Sequence, residues 1–369
     1  MCLIVLLVSI GLEWYGHACG FLVTSDSLQY LSAAHSFSKN GKFLSPDGSY
    51  YSYWPPLFPI ILSFFKQPQI ALEWINVACK MVMTLILLHI VTLFINDAIL
   101  KIIFLIASLI SVHMAMISVF VWSELIFMTL VFMNAYFVLH LNKHPSNFYW
   151  LLLTGFLACI QRNAGLFWIS GVCLWLLLYS PFSLKARVLK SVICFLVCTA
   201  GLWGWNIYNT FFLPADFNFY KHDFFAYTPY NLISTLNTLG KMVMPFDGIA
   251  GILVGIFLVV AIFIQFILFK KSDRNAHFLG IVFLAYMMGF LIMPGHLDIF
   301  EMDRYFSVLA PIVYLFIISL VQEKVQPINL TKRIWIYVIV FVWLCYPVTR
   351  TFRNVQAWHE RSCNADMSR

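Results

Sequence analysis

The residues best suited to chemistry are a few ionisable side chains set in a very apolar background. Asp26 lies within TSDSLQYLSAAHSFSKNGKFLSPDGSYYSYWPPLFP, from Thr24 to Pro59, at the start of what reads as a helix. Unsatisfied backbone N–H groups at a helix start favour a carboxylate. Asp26 can serve there as a cap alone, or it can accept a proton from a bound group. Arg304 opens an apolar run directly after an acidic stretch, and Arg162 interrupts another within QRNAGL. A guanidinium so placed either snorkels to lipid headgroups or pairs bidentately with an anion such as phosphate. Glu124 stands where a short hairpin turns, which reads as a solvated helix end. His296, Asp298, Glu301 and Asp303 could hold a divalent ion, but their spacing fits no metal motif and a solvated acidic loop is the better reading. Lys80, one turn inside an apolar run, reads as a snorkelling residue.

The elements that must position these groups are membrane helices. Hydrophobic residues make up 62% of the 369 and charged ones only 11%, against about 25% charged in a soluble domain. No soluble core buries that much apolar surface, so lipid must cover most of it. Apolar runs at roughly 1–15, 74–95, 98–118, 124–142, 148–161, 164–180, 189–210, 249–269, 276–294, 304–321 and 334–347 predict about 11 spans, within a range of about 9–12. The first of these reads as an anchor rather than a removed signal peptide. Pro55–Phe65 is too short to span and is expected to re-enter or lie at the interface. A single helix over 148–180 would bury Arg162 in hydrocarbon, so two short helices meeting near Arg162 are predicted.

Charge orients this layout. Lys143, Lys185, Arg187, Lys190, Lys270, Lys271, Arg274, Lys324, Lys332 and Arg333 fall in short connections, which the positive-inside rule assigns to the cytoplasm. This sorting accounts for the net charge of +7 better than a nucleic-acid partner does. Asp26, Asp47, Glu124, Asp216, Asp223, Asp247, Asp298, Glu301 and Asp303 then face outside, with three long loops at 16–73, 211–248 and 295–303 and the chain beyond Thr349. Loops of such length are more often functional than decorative. In the first, Leu28, Leu31, Ala34 and Phe37 follow helical spacing. They predict an interfacial helix capped by Ser25 or Asp26, running to about Ser38, ended by Asn40-Gly41 and resting on the membrane by that face. In the second, aromatics including Phe217, Phe219, Tyr220 and Phe224 read as an interfacial belt, with a polyprenyl or sugar groove as the rival. The nine cysteines form an odd set without a CxxC pair and read as small core hydrophobes. No fixed-period repeat divides the chain, so residues 1–369 read as one transmembrane domain.

Asp26-Ser27, Tyr30, Ala33-Ala34, Gly41 and Trp54-Pro55-Pro56-Leu57-Phe58-Pro59 resemble the first outer loop of GT-C glycosyltransferases, multi-pass enzymes that use polyprenyl-phosphate sugars. The likeness is to the dolichyl-phosphate-mannose–protein mannosyltransferases and the bacterial lipid A aminoarabinose transferases. It continues in order through Ser123-Glu124, Arg162, Trp205-Asn206 and Arg304-Tyr305, although only the first loop is specific. The resemblance implies that Asp26 is the catalytic carboxylate that activates the acceptor. It implies substrate contacts at Arg304, Arg162, Tyr305, Glu124 and Trp54, with the arginines on the donor phosphate. Breaking the anomeric C–O bond through an oxocarbenium-like state needs a base for the acceptor proton and cations for the leaving phosphate. Ser27 stands where many relatives have Glu, and Trp54 where aminoarabinose transferases have Lys, which leaves the donor sugar and any divalent metal cofactor open.

The implied protein is an all-α polytopic bundle of GT-C type in the bacterial plasma (inner) membrane. It would move a sugar from a polyprenyl-phosphate carrier to a glycan, lipid or protein acceptor on the periplasmic side, with inversion. A transporter or flippase for a lipid-linked sugar is the rival, and it should place ionisable residues and broken helices at the midplane of paired repeats. In a non-catalytic subunit of a glycan assembly complex, Asp26 would be dispensable.

Overall fold

A computed structural model describes residues 1–52, 54–213, 225–265, 274–293, 295–325 and 330–366. Asp216, Phe217, Phe219, Tyr220, Asp223, Phe224, Lys270 and Lys271 lie outside the described residues. The helices are α1 (Cys2–Gly16), α2 (Ser25–Asn40), α3 (Leu57–Ser63), α4 (Pro68–Phe94), α5 (Ala98–Leu109), α6 (Val112–Val119), α7 (Glu124–Leu139) and α8 (Asn147–Gln161). They continue with α9 (Gly165–Tyr179), α10 (Leu184–Phe211), α11 (Thr228–Val243), α12 (Gly248–Phe263), α13 (Arg274–Leu291), α14 (Ile299–Tyr305), a 3-10 turn at Phe306–Val308, α15 (Ala310–Val325) and α16 (Leu330–Asp366). Among the described residues the only β pairings are the isolated bridges Leu22–Phe120 and Leu44–Tyr50. The protein is all-α.

Where the residues are described, each apolar run read from the sequence falls on helix, the run at 98–118 on two helices and that at 304–321 on the end of α14, the 3-10 turn and α15. Among the described residues five stretches are long and apolar enough to cross a bilayer alone: α4, α5 with α6, α10, α13 and α16. Counting each of two bent pairs as one span brings this to at most seven: α11 with α12, bent by 83°, and α14 and the 3-10 turn with α15, bent by 68°. Helices α1, α7, α8 and α9 are apolar but shorter. Breaks such as Ile110-Ser111, where the Ser111 side chain caps α6, divide runs that hydropathy reads as continuous. Helices α5, α6 and α15 are buried nearly all round, as expected for the centre of a bundle. By contrast α4, α10 and α16 carry exposed Trp74, Leu196, Trp335 and Phe341, and only lipid can cover such faces. Where α11 and α12 fold together, side chains at Gly240 and Gly255 would collide with the facing backbone, so both positions admit only glycine.

Four expectations are corrected by the packing. Lys80 does not snorkel: it is 0% exposed, its Nζ lies 2.7 Å from Glu13 Oε2 of α1, and it donates to Ser9 O at 2.9 Å. Hydropathy treats one helix at a time and cannot see a carboxylate supplied by another. The face of α2 expected on the membrane departs at Ala34, which packs inside the protein with Ser27, Tyr30 and Ala33, while Leu28 is exposed and Leu31 and Phe37 are half-buried. The run at 334–347 is the lower part of a single helix, α16, that passes Pro347 and continues to Asp366. Its upper part packs on α1 and α6, through His359 Nδ1 with Tyr15 O at 2.8 Å and Trp358 against Phe120. Finally, two cysteines are not core hydrophobes, because Cys19 and Cys363 form a disulfide across 344 residues of sequence.

Contacts sort into two ends. Asp97 pairs with Arg333 and accepts from Tyr337 at 2.6 Å, while Gln322 receives the Asn96 N–H, all at one end. The Cys19–Cys363 bond, the start of α2, the start of α7 and the α8–α9 junction gather at the other.

Candidate active site

The site is built where four chain breaks converge: the starts of α2 and α7, the α8–α9 junction and the end of α14. Thr24 fixes the first. Its Oγ1 accepts from Ser27 N at 3.4 Å and Ser27 Oγ accepts from Thr24 N at 3.0 Å, a reciprocal capping box. The cap is therefore Thr24 and not Ser25 or Asp26, and the Asp26 carboxylate is left to reach across the site. Trp122 Nε1 also donates to Thr24 Oγ1 at 2.9 Å, which ties α2 to the approach of α7.

The carboxylate meets Arg304. Asp298 caps α14 by accepting from Glu301 N at 2.8 Å, and α14 delivers Arg304 into the interior, 5% exposed. Arg304 Nη1 donates to Asp26 Oδ2 at 2.5 Å, and its Nε donates to Glu124 Oε1. The guanidinium lies 4.1 Å from the Trp122 ring centroid, a cation–π contact that fixes its plane. From the α8–α9 junction, Arg162 Nη1 contacts the same Glu124 Oε1 at 2.6 Å and donates to Ser123 Oγ at 2.8 Å. Gln161 Nε2 donates to Ser123 O at 3.1 Å. Burial opposes the Arg162 cation most, but the Glu124 carboxylate together with Tyr30 and Tyr305 outweighs it, and the pKa is raised above its ordinary value. Tyr305 lies between the two cations, with Arg162 at 5.2 Å and Arg304 at 5.6 Å from its ring. The cluster thus holds two guanidiniums against two carboxylates, and Arg304 Nη2 is buried with no partner.

Aromatic rings floor the site. Tyr30, one turn along the helix from Asp26 and fully buried, places its hydroxyl 3.4 Å from Ser123 Oγ. Burial pushes that hydroxyl well above the usual tyrosine range, so it stays protonated. Its ring meets Phe58 of α3 edge-on at 5.0 Å and Trp54 at 5.4 Å.

The six residues named from the sequence therefore assemble. Asp26, Glu124, Arg162, Arg304 and Tyr305 meet directly, and Trp54 joins through Tyr30. Glu124 is not a solvated helix end, being 2% exposed beneath two arginines, and neither arginine snorkels. The acidic loop disperses instead of solvating as a unit. Asp303 turns inward to Arg350 at 2.9 Å and His113 at 3.4 Å, Asp298 caps α14, and His296 stacks on Tyr230 at 3.6 Å. Among the described residues no three His, Cys, Asp or Glu side chains are grouped to hold a metal ion. Sequence reading missed Trp122, whose one signal is its place beside Ser123-Glu124, and Arg350, for which there is none.

The same arrangement of helices occurs in a solved enzyme. ArnT from Cupriavidus metallidurans bound to undecaprenyl phosphate matches 97% of this chain with 73% of its own, at a TM-score of 0.59 and 14% identity. The chain has a GT-C fold. ArnT is a lipid A aminoarabinose transferase of that class, and its apo state matches over 89% of this chain and 60% of its own, at a TM-score of 0.52 and 13% identity. No protein-family model and no curated protein matches the sequence. Within this GT-C fold the two departures in the first loop acquire local reasons. Ser27 is the return half of the Thr24 capping box, and Trp54 packs on Tyr30.

Proposed function

We propose that the protein transfers a sugar from a polyprenyl-phosphate carrier to an acceptor on the non-cytoplasmic side of the membrane. The observation that carries this reading is the buried cluster in which Arg304 links Asp26 to Glu124 while keeping one nitrogen uncommitted. A phosphodiester is an anion with several acceptor oxygens, and a guanidinium with free N–H groups is its natural partner. In this reading Arg304 and Arg162 hold the donor phosphate and Glu124 keeps both cations in place. Tyr305 and Trp54 line the approach. Asp26 takes the acceptor's proton as the anomeric carbon leaves phosphate, giving inversion. No fixed-period repeat divides the chain, whereas transporters place such sites between paired repeats, which supports an enzyme over a transporter.

The disulfide supports the sidedness. Disulfides persist in the periplasm or outside the cell and are rare in the cytosol, and Cys19 is seven residues before Asp26. The bacterial plasma membrane, with the site facing the periplasm, meets that condition. The test is to incubate purified protein with a panel of polyprenyl-phosphate sugars and membrane extract and to follow labelled sugar by mass spectrometry. Labelled product dependent on the protein is expected. Loss of label from no donor in the panel would remove the reading.

A further inference from the structure

The resting site holds its base on its own phosphate-binding cation. Arg304 spends Nε on Glu124 and Nη1 on Asp26, and only Nη2 is uncommitted. Two guanidiniums and two carboxylates already balance, so an arriving anion enters a neutral site. Its favourable binding requires that one carboxylate yield.

The geometry decides which. Glu124 Oε1 is held by both Arg304 and Arg162, and its side chain is 3% exposed. Withdrawing it would strand two buried cations, the most costly outcome for a buried ion pair. Asp26 is held by Arg304 alone, and its side chain is 17% exposed. Its helix start does not depend on it, because Thr24 and Ser27 supply the cap. Asp26 is the carboxylate that can leave at little cost.

We propose that the donor phosphate displaces Asp26 from Arg304, so that the base is released only when the donor is bound. This rests on the reading of the cluster as a polyprenyl-phosphate sugar transferase site. Before donor arrives, the Asp26 oxygens are committed to a guanidinium and an acceptor alone finds no base. After the exchange, phosphate oxygens occupy Nη1 and Nη2 of Arg304, and Asp26 swings to the acceptor. The acceptor oxygen then bonds to the anomeric carbon as the bond from that carbon to the phosphate oxygen breaks. The electron pair of the broken bond stays on phosphate, and the acceptor proton passes to Asp26. When polyprenyl phosphate departs, Asp26 loses the proton to solvent and returns to Arg304. The arrangement imposes donor before acceptor and protects the carrier sugar from an idle base.

The exchange makes Asp26 a competitor of the phosphate, which a base that merely stands nearby would not be. Purified parent protein, Asp26→Asn, Asp26→Ser and Asp47→Asn are compared for polyprenyl phosphate Kd in detergent, each with a thermal melt. Asp47 is a control carboxylate on the same loop, exposed and engaged only with Ser49. Removing the competing charge-assisted bond should tighten binding about three- to tenfold in both Asp26 variants. Asp47→Asn should bind like the parent, which excludes a general effect of net charge. Adding Arg304→Ala to Asp26→Asn should erase the gain. Parent-like or weaker binding by folded Asp26 variants overturns the exchange while leaving the transferase reading intact. Failure of the parent to bind polyprenyl phosphate at all would overturn that reading itself.

Discussion

Asp26 and Glu124 are both carboxylates beside Arg304, but their surroundings assign them different work. Glu124 neutralises two buried cations, so Glu124→Gln should cost about 3–5 kcal/mol of stability, read as a lower melting temperature in detergent. Asp26 is more exposed and singly paired, so Asp26→Asn should melt near the parent. It should nevertheless lose at least about a hundredfold in transfer rate, the usual contribution of a general base. Near-parent transfer by Asp26→Asn would make the residue a passenger and promote the transporter and subunit readings. Arg304 bears on donor rather than proton. Arg304→Lys substitutes a point charge for a fork and should weaken donor binding about ten- to a hundredfold, with Arg304→Ala at least as damaging. Equal donor affinity in all three proteins would reduce Arg304 to a structural partner of Glu124.

At the scale of elements, what matters is how loosely related helices are held in register around the cluster. Helix α2 is held at its first turn by Thr24, whose hydroxyl serves Ser27 N, Ser27 Oγ and Trp122 Nε1 at once. Thr24→Val keeps the shape and removes that hydroxyl, so it should lose the cap, worth about 1 kcal/mol, and strand the indole N–H. Transfer should fall with it, because Trp122 also stacks on Arg304. Thr24→Ser should restore both stability and rate, and a Thr24→Ser protein as impaired as Thr24→Val would refute the role given to the hydroxyl. Helix α16 acts from the opposite side. Arg350 holds Asp303 next to Arg304, and Cys363 is bonded to Cys19 ahead of α2. Cutting the bond with Cys363→Ser should cost about 2–5 kcal/mol, seen as a drop in melting temperature that reductant reproduces in the parent.

At the scale of the molecule, the two ends should face different compartments. Nine cysteines are present and seven are free. Denatured protein purified without reductant should therefore take up seven equivalents of a thiol reagent, and the remainder only after reduction. In a variant stripped of the free cysteines, a cysteine placed at exposed Asp47 should react with an impermeant reagent in intact cells, while one at exposed Lys143 should not. The reverse pattern would put the cluster in the cytoplasm and remove the periplasmic assignment.

Hydropathy and charge by themselves determined that the chain is an all-α membrane protein and where nearly every apolar helix lies, because lipid forces backbone groups into helices and leaves a long apolar run as the record. The break at Arg162 was legible for the same reason, since a charge in hydrocarbon is costly. The short motifs named the six residues of the cluster, but their types gave only alternatives: cap or base, snorkel or anion site, solvated end or buried counter-ion. Tertiary packing decided among these physical states, because each depends on a partner distant in sequence. Thr24 took the cap from Asp26, Arg304 reached Asp26 across 278 positions, and Glu124 came to lie beneath two arginines. Glu13 drew Lys80 inward, and Cys363 found Cys19. Periodicity reports how a residue faces its own helix, whereas ion pairs, disulfides and buried polar contacts are set by which helices meet, and that was decided only by the folded chain.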